Sequence, residues 1–138
     1  MIVEERTHID ADTDSVYSII SKATEWPRWH NGIVSMKLSN ASFTPGAKGT
    51  LVTRDGRRVA IRCQEAGAPT HLAIEEKFAL HTVRQSVTLQ GENGSTWVNL
   101  QLSYHGPAGK LHGILTRRHT QDELAVSLRA LKKIAEAS

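Results

Sequence analysis

A single cysteine, Cys63, is the only thiol among the 138 residues of this chain. An internal disulfide is therefore excluded, as is a cysteine-built metal site, and the usage suits a reducing compartment. Long apolar runs are also missing. No stretch of about 18 apolar residues occurs, and the N-terminal MIVEERTHID holds nothing of signal-peptide length. The expectation is a cytoplasmic protein, neither secreted nor inserted in a membrane. Charge of one sign is scarce too: 17 Lys and Arg stand against 14 Asp and Glu, spread along the chain. A net charge of +3 distributed in this way leaves no electrostatic footprint for nucleic acid.

Several reaction signatures are absent as well. The histidines, His8, His30, His71, His81, His105, His112 and His119, include no HExxH and no i, i+4 pair. His112 and His119 would lie about 10.5 Å apart along a helix, too far for one ion. There is no GxSxG elbow, and PGAKGT lacks the Walker spacing, so its glycines are expected to serve a turn. Cys63 falls on a predicted buried strand, where it reads as a small core residue. No metal and no cofactor is expected.

What the chain does contain is an informative order of elements, in a length that suits one domain over residues 1–138. Residues 2–9 alternate as a strand. Asp12 or Thr13 is placed to cap a helix with Val16, Ile19 and Ile20 on its buried face. Thr24 can cap a second short helix, with Pro27 near its first turn and Gly32 ending it. Hairpins follow, marked by Asp55-Gly56 and Asn93-Gly94, dipeptides that accept the positive backbone angles of tight turns. Gly67 to Pro69 gives another break, and a further turn is expected near residues 79–81, although no Gly or Pro marks it. A helical pattern begins near Leu111 and runs to the end. Its seam is Leu124, Leu128, Leu131 and Ala135, continued upstream by Leu111, Ile114 and Leu115. The polar interval RRHTQDE predicts either a break in that helix or a loss of contact with the sheet.

Period-two patterning assigns the strand faces. Val59, Ile61 and Cys63 share one face; Leu72, Ile74, Glu76 and Phe78 another; then Val83, Gln85, Val87 and Leu89; then Thr96, Val98, Leu100, Leu102 and Tyr104. An antiparallel sheet with one apolar face needs a cover, and only the C-terminal helix is long enough to supply it. Glu76, Gln85 and Tyr104 interrupt the apolar faces. If buried, they must bond to each other, to water or to a ligand; the alternative for Glu76 is a strand end open to solvent. Trp26 and Trp29, three apart on one helical face, point at least one indole into the core. Trp97 is expected on the outer sheet face.

Four segments together carry a family resemblance: DTDSVYSII, EWPRWHNGI, GSTWVNL, and GPAGKLHGIL leading to LRALKKIAEA. In this order they resemble the START-like or Bet v 1-like (SRPBCC) superfamily, in particular its polyketide cyclase/dehydrase and lipid-transport branch. The resemblance spans nearly the whole chain. It implies an α+β helix-grip fold, in which a curved antiparallel sheet of about seven strands wraps a long C-terminal helix, with two short helices after strand 1. It further implies a cavity between sheet and helix for an apolar small molecule, with Trp29 at its mouth. Combined with the face pattern, the expected lining is Trp29, Val59, Ile61, Ile74, Glu76, Gln85, Val87, Val98, Leu100 and Tyr104, joined by Leu115, Arg118 and Gln121 from the helix. Such families include lipid and sterol carriers, plant hormone receptors, aromatic polyketide cyclases and quinone-binding accessory proteins, so the resemblance implies a pocket rather than a reaction.

Two classes of function fit these residues. One is a carrier of a hydrophobic small molecule: a lipid, a quinone or an aromatic or polyketide-like metabolite. The other is a cyclase, aromatase or dehydratase that shuttles protons through Glu76 and Tyr104, with His119 or Arg118 reaching in from the helix. A protein-interaction module using the face around Trp97 is a third reading. Both a monomer and a homodimer are compatible with the sequence.

Overall fold

The computed structural model describes residues 1–40 and 42–138. Strand β1 (Ile2–Ile9) is followed by helix α1 (Thr13–Ile20) and a 3-10 helix (Ala23–Arg28). Six strands come next: β2 (Ile33–Leu38), β3 (Lys48–Thr53), β4 (Arg58–Gly67), β5 (His71–Lys77), β6 (Thr82–Glu92) and β7 (Ser95–His105). Helix α2 (Gly109–Glu136) closes the chain. The strands form one curled antiparallel sheet in the order β1-β7-β6-β5-β4-β3-β2, so β1 and β2 are its edges. This is the helix-grip arrangement.

Local chemistry sets the element ends. Asp12 Oδ1 accepts the Ser15 N–H at 2.8 Å, satisfying one of the orphan donors at the start of α1. Thr24, expected to cap the next helix, lies inside it. The chain enters that 3-10 helix from extended Lys22 with no side-chain cap, and Pro27 sits in its interior, where shorter-range bonding tolerates a missing N–H. Between β6 and β7, Asn93 and Gly94 both have positive φ, 51° and 84°, as a two-residue hairpin turn requires.

The register confirms the alternating faces. Across β5, β6 and β7, Ile74 lies opposite Gln85 and Gln85 opposite Leu102, while Glu76 lies opposite Val83 and Val83 opposite Tyr104. The inner face packs on α2 through Leu124, Leu128, Leu131 and Ala135, all buried. The C-terminal half of α2 is tied to β1 by Lys132 Nζ, which donates to the His8 carbonyl and to Glu136, and by Glu136, which accepts the Asp10 N–H.

Helix α2 does not break at RRHTQDE; it is continuous through 28 residues. The upstream extension of the seam is corrected by the structure. Leu111, Ile114 and Leu115 face solvent, and the side turned toward the sheet carries Gly109, Gly113 and Thr120. Steric fit explains this inversion. The backbone of α2 passes so close to Tyr104 that a Cβ on Gly113 would stand 3.2 Å from the tyrosine ring, leaving no room for leucine.

Candidate polar site beneath the sheet

Three inner-face or loop residues form one hydrogen-bonded chain in the interior. Glu76 and Gln85 are diagonal neighbours on β5 and β6, and the Gln85 amide N–H donates to Glu76 Oε2. Gln85 Oε1 lies 2.8 Å from His30 Nε2. His30 Nδ1 in turn accepts the Gly32 N–H at 3.2 Å. These contacts fix the tautomer: Nδ1 is the acceptor, so Nε2 carries the proton and donates to the amide oxygen. The chain therefore runs in one direction, from backbone N–H through imidazole and amide to a carboxyl group.

Burial tunes both ends. His30 is pushed down to about 4 by loss of solvation, partly opposed by its bond to Gln85, so it is neutral at physiological pH. Glu76 is pushed up to about 7, first by burial and further by the charge of Glu123, with the Gln85 bond acting against the rise. Its carboxyl can thus hold or release a proton near neutrality. Among the described residues, no donor reaches its Oε1.

Glu123 of α2 approaches the loop that carries His30. A Cβ on Gly32 would meet its carboxylate, the far end of a flexible side chain that would have to shift to make room. Burial raises the Glu123 carboxyl, opposed by His119 at 3.6 Å and by Arg54. Ser127 Oγ donates to the Glu123 carbonyl and accepts the Asn31 N–H, both at 2.8 Å, which pins the loop to the helix.

Aromatic rings wall this loop. Trp26 lies 4.8 Å from Trp29, 5.5 Å from Phe43, and stacks on His30 at 5.8 Å between ring centroids. The Trp26 indole N–H donates to the Ile20 carbonyl at 2.7 Å. The Trp29 N–H is buried and has no partner among the described residues. Trp29, expected at a cavity mouth, is 2% exposed and belongs to the interior, because the 3-10 helix turns both indoles inward.

The other expected lining residues divide in two. Val59, Ile61, Ile74, Val87, Val98, Leu100 and Tyr104 are buried on the inner face, with the Tyr104 hydroxyl 3.4 Å from Thr120 Oγ1. The three from α2 do not join them. Leu115 is 74% exposed and Arg118 faces solvent, on the side of the helix turned away from the sheet. Gln121 Nε2 is spent on β1, donating to the Glu4 carbonyl and to Glu5 Oε1. His119, an acid/base candidate, is exposed and paired with Glu123. Two open depressions, of about 500 and 410 Å³, lie on the outer sheet face around Lys37 and Thr50 and around Arg84 and Gln101. Neither touches the expected lining.

His30 and Glu123 escaped the sequence reading. His30 follows WPRW directly, and that apolar neighbourhood was its available signal. Glu123 adjoins Leu124 of the seam and stands four residues after His119.

Sequence comparison with curated proteins gives no match. Solved structures share the fold at low identity. A Helicobacter pylori protein, jhp0584, superposes with a TM-score of 0.81 at 14% identity, covering 98% of this chain and 88% of that one. DynU16, from the dynemicin biosynthetic locus, gives 0.75 at 18%, covering 98% of this chain and 47% of that one. BexL, described as a di-domain ARO/CYC from the BE-7585A biosynthetic pathway, gives 0.70 at 16%, covering 96% and 45%. This chain thus spans about half of each of the latter two proteins. The sequence model described as "Polyketide cyclase / dehydrase and lipid transport" matches residues 1–136, nearly end to end, and on that match the chain belongs to the polyketide cyclase/dehydrase and lipid-transport family.

Proposed function

We propose that this protein binds a small, largely apolar molecule that carries a hydrogen-bonding oxygen, in the space between the inner sheet face and α2. A lipid, a quinone and an aromatic or polyketide-like metabolite all have this character. One observation carries the reading: a buried His30–Gln85–Glu76 chain beside a Trp29 N–H that has no partner among the described residues, set in an apolar wall. Leaving a buried donor unpaired costs about 1–3 kcal/mol, a cost that a ligand oxygen would relieve. A few fixed polar groups in an apolar surround are what orient a small molecule in a pocket. Val59, Ile61, Ile74, Val87, Val98 and Leu100 supply the apolar contact in this reading, and Tyr104 a further hydroxyl. Trp29 occupies the interior, so binding involves its displacement or that of its neighbours. A cytoplasmic setting is part of the proposal, resting on the lone thiol of Cys63.

Native mass spectrometry of gently purified protein, beside the same sample denatured, tests this. A stoichiometric lipid-sized or aromatic adduct that leaves on unfolding is the expected result. A clean apo mass, together with no thermal shift across a panel of lipids, quinones and polyketide-like aromatics, would overturn it; ligand at one hundred times its Kd adds about 2.7 kcal/mol of apparent stability.

A second reading rests on a different observation. The Glu76 carboxyl, pushed up to about 7, is matched to general acid/base work at neutral pH. The fold likeness to BexL, described as an ARO/CYC, is compatible with a cyclase, aromatase or dehydratase that folds a reactive chain in the interior. Glu76→Gln distinguishes the two readings: it abolishes turnover in an enzyme and leaves a carrier's ligand bound.

A further inference from the structure

The first half of α2 is amphipathic in the reverse sense. Leu111, Ile114 and Leu115 are each more than half exposed, while Gly109, Gly113 and Thr120 face the protein. Positions 111, 114, 115 and 118 form one stripe on a helix, so Arg118 continues the apolar face, and Lys110 and Arg117 flank it. Leu80 enlarges the patch from the turn between β5 and β6: it is also more than half exposed, and its carbonyl accepts the Ala108 N–H at 3.3 Å.

Between Gly109 and Gln121 the charge on this face has one sign, and the exposed Asp122 stands on the same stripe one turn beyond Arg118. Lys110, Arg117 and Arg118 are exposed, and among the described residues none takes part in an ion pair. No Asp or Glu occurs between Glu92 and Asp122. The Glu5 carboxylate of β1 meets α2 farther along, at Gln121.

We propose that this face docks on an anionic lipid bilayer, with Leu80, Leu111, Ile114 and Leu115 sunk to the headgroup boundary and Lys110, Arg117 and Arg118 on lipid phosphates. Apolar side chains flanked by cations on one helical face are the makeup of an interfacial helix, and each cation near an anionic surface adds about 1 kcal/mol. A second copy of the chain is a poorer occupant, because facing two such patches brings unpaired cations together. The proposal is independent of the ligand, since none of these residues belongs to the interior site.

Sedimentation with vesicles of phosphatidylcholine alone, and of phosphatidylcholine mixed equally with phosphatidylglycerol, tests it. Wild type should partition onto the mixed vesicles, weakly onto the zwitterionic ones, and less as salt rises. Leu115→Glu and the double variant Arg117→Glu/Arg118→Glu should each weaken partition about tenfold or more, while keeping the wild-type urea midpoint. Failure to bind mixed vesicles, or binding that both variants leave unchanged, would overturn the proposal. So would a wild-type dimer that Leu115→Glu converts to monomer, since the face would then belong to a second copy.

Discussion

The His30 imidazole donates its Nε2 proton to Gln85, 2.8 Å away, and is held neutral by burial, while one bond further along the Glu76 carboxyl is pushed up to about 7 by the same cause. The two groups therefore bend the pH dependence of stability in opposite directions. Glu76 titrates at about 7 in the fold against an ordinary 4.5, so stability is greatest below 4.5 and falls as pH rises through 7. His30 titrates at about 4 against an ordinary 6.5, so its contribution is complete above 6.5 and is lost as pH falls through 4. Between pH 4.5 and 6.5 the slopes oppose. Glu76→Gln should keep the Gln85 bond and remove only the alkaline loss. Relative to wild type it should gain on the order of 2 kcal/mol between pH 5 and pH 8, read from urea midpoints. Parallel pH profiles for the two proteins would refute this.

An imidazole pair sits where α2 begins. His81 Nε2 lies 2.7 Å from His112 Nδ1, with Phe78 stacked on His81 and Tyr104 edge-on to His112. Burial and the neighbouring His81 both lower His112. Its stabilising contribution is therefore complete above the ordinary value of 6.5 and is lost on acidification. Hydrogen-exchange protection of residues 110–116, corrected for intrinsic rates, should fall from pH 7 to pH 5 in wild type and fall less in His81→Phe, where burial alone still lowers His112. Equal loss in both proteins would count against the pair.

Gly32→Ala should cost about 1 kcal/mol, because the added Cβ must push aside the end of the flexible Glu123 side chain. The cost should vanish in a Glu123→Ala background, which makes the coupling measurable as a double-mutant cycle. Additive effects would mean that the collision is relieved elsewhere.

How much of this was legible in the sequence depends on which physics governed each element. Hairpins announced by Asp55-Gly56 and Asn93-Gly94, and strand faces set by strict alternation, were readable because the constraint is local. Glu76 and Gln85 stood out for the same reason, as polar residues on apolar faces. Their connection to His30 was not readable, since it spans 55 positions and depends on how the 3-10 helix seats its tryptophans. The start of α2 misled in the opposite way. Leu111, Ile114 and Leu115 have the spacing of a buried seam, but spacing identifies a face without saying which side the backbone of Gly109 and Gly113 must approach. Only the crossing over Tyr104 decides that.

Leu124 and Leu115 have the same side chain on the same helix and should behave as opposites. Leu124→Ala removes a fully buried contact and should cost about 2–5 kcal/mol, whereas Leu115→Ser should stay within about 0.5 kcal/mol of wild type. Chemical denaturation of both variants checks the orientation of α2. A large loss at Leu115 would mean that the first half of the helix packs inward.

Trp26 and Trp29 offer the sharpest separation of folding from function. Both are buried, but Trp26 donates to the Ile20 carbonyl at 2.7 Å, and the Trp29 N–H has no partner among the described residues. Trp26→Phe removes a satisfied donor and strands a buried carbonyl. Trp29→Phe removes a donor whose desolvation nothing offsets, so it should be the milder change, by about 1 kcal/mol or more. If the Trp29 N–H waits for a ligand oxygen, binding should rank the other way, with Trp29→Phe losing more affinity than Trp26→Phe. Urea midpoints give the first ranking, and thermal-shift titration with an adduct recovered by native mass spectrometry gives the second. Opposite rankings would assign Trp26 to the fold and Trp29 to the ligand; the same ranking in both would return Trp29 to the core and leave Glu76, Gln85 and His30 to carry the site alone.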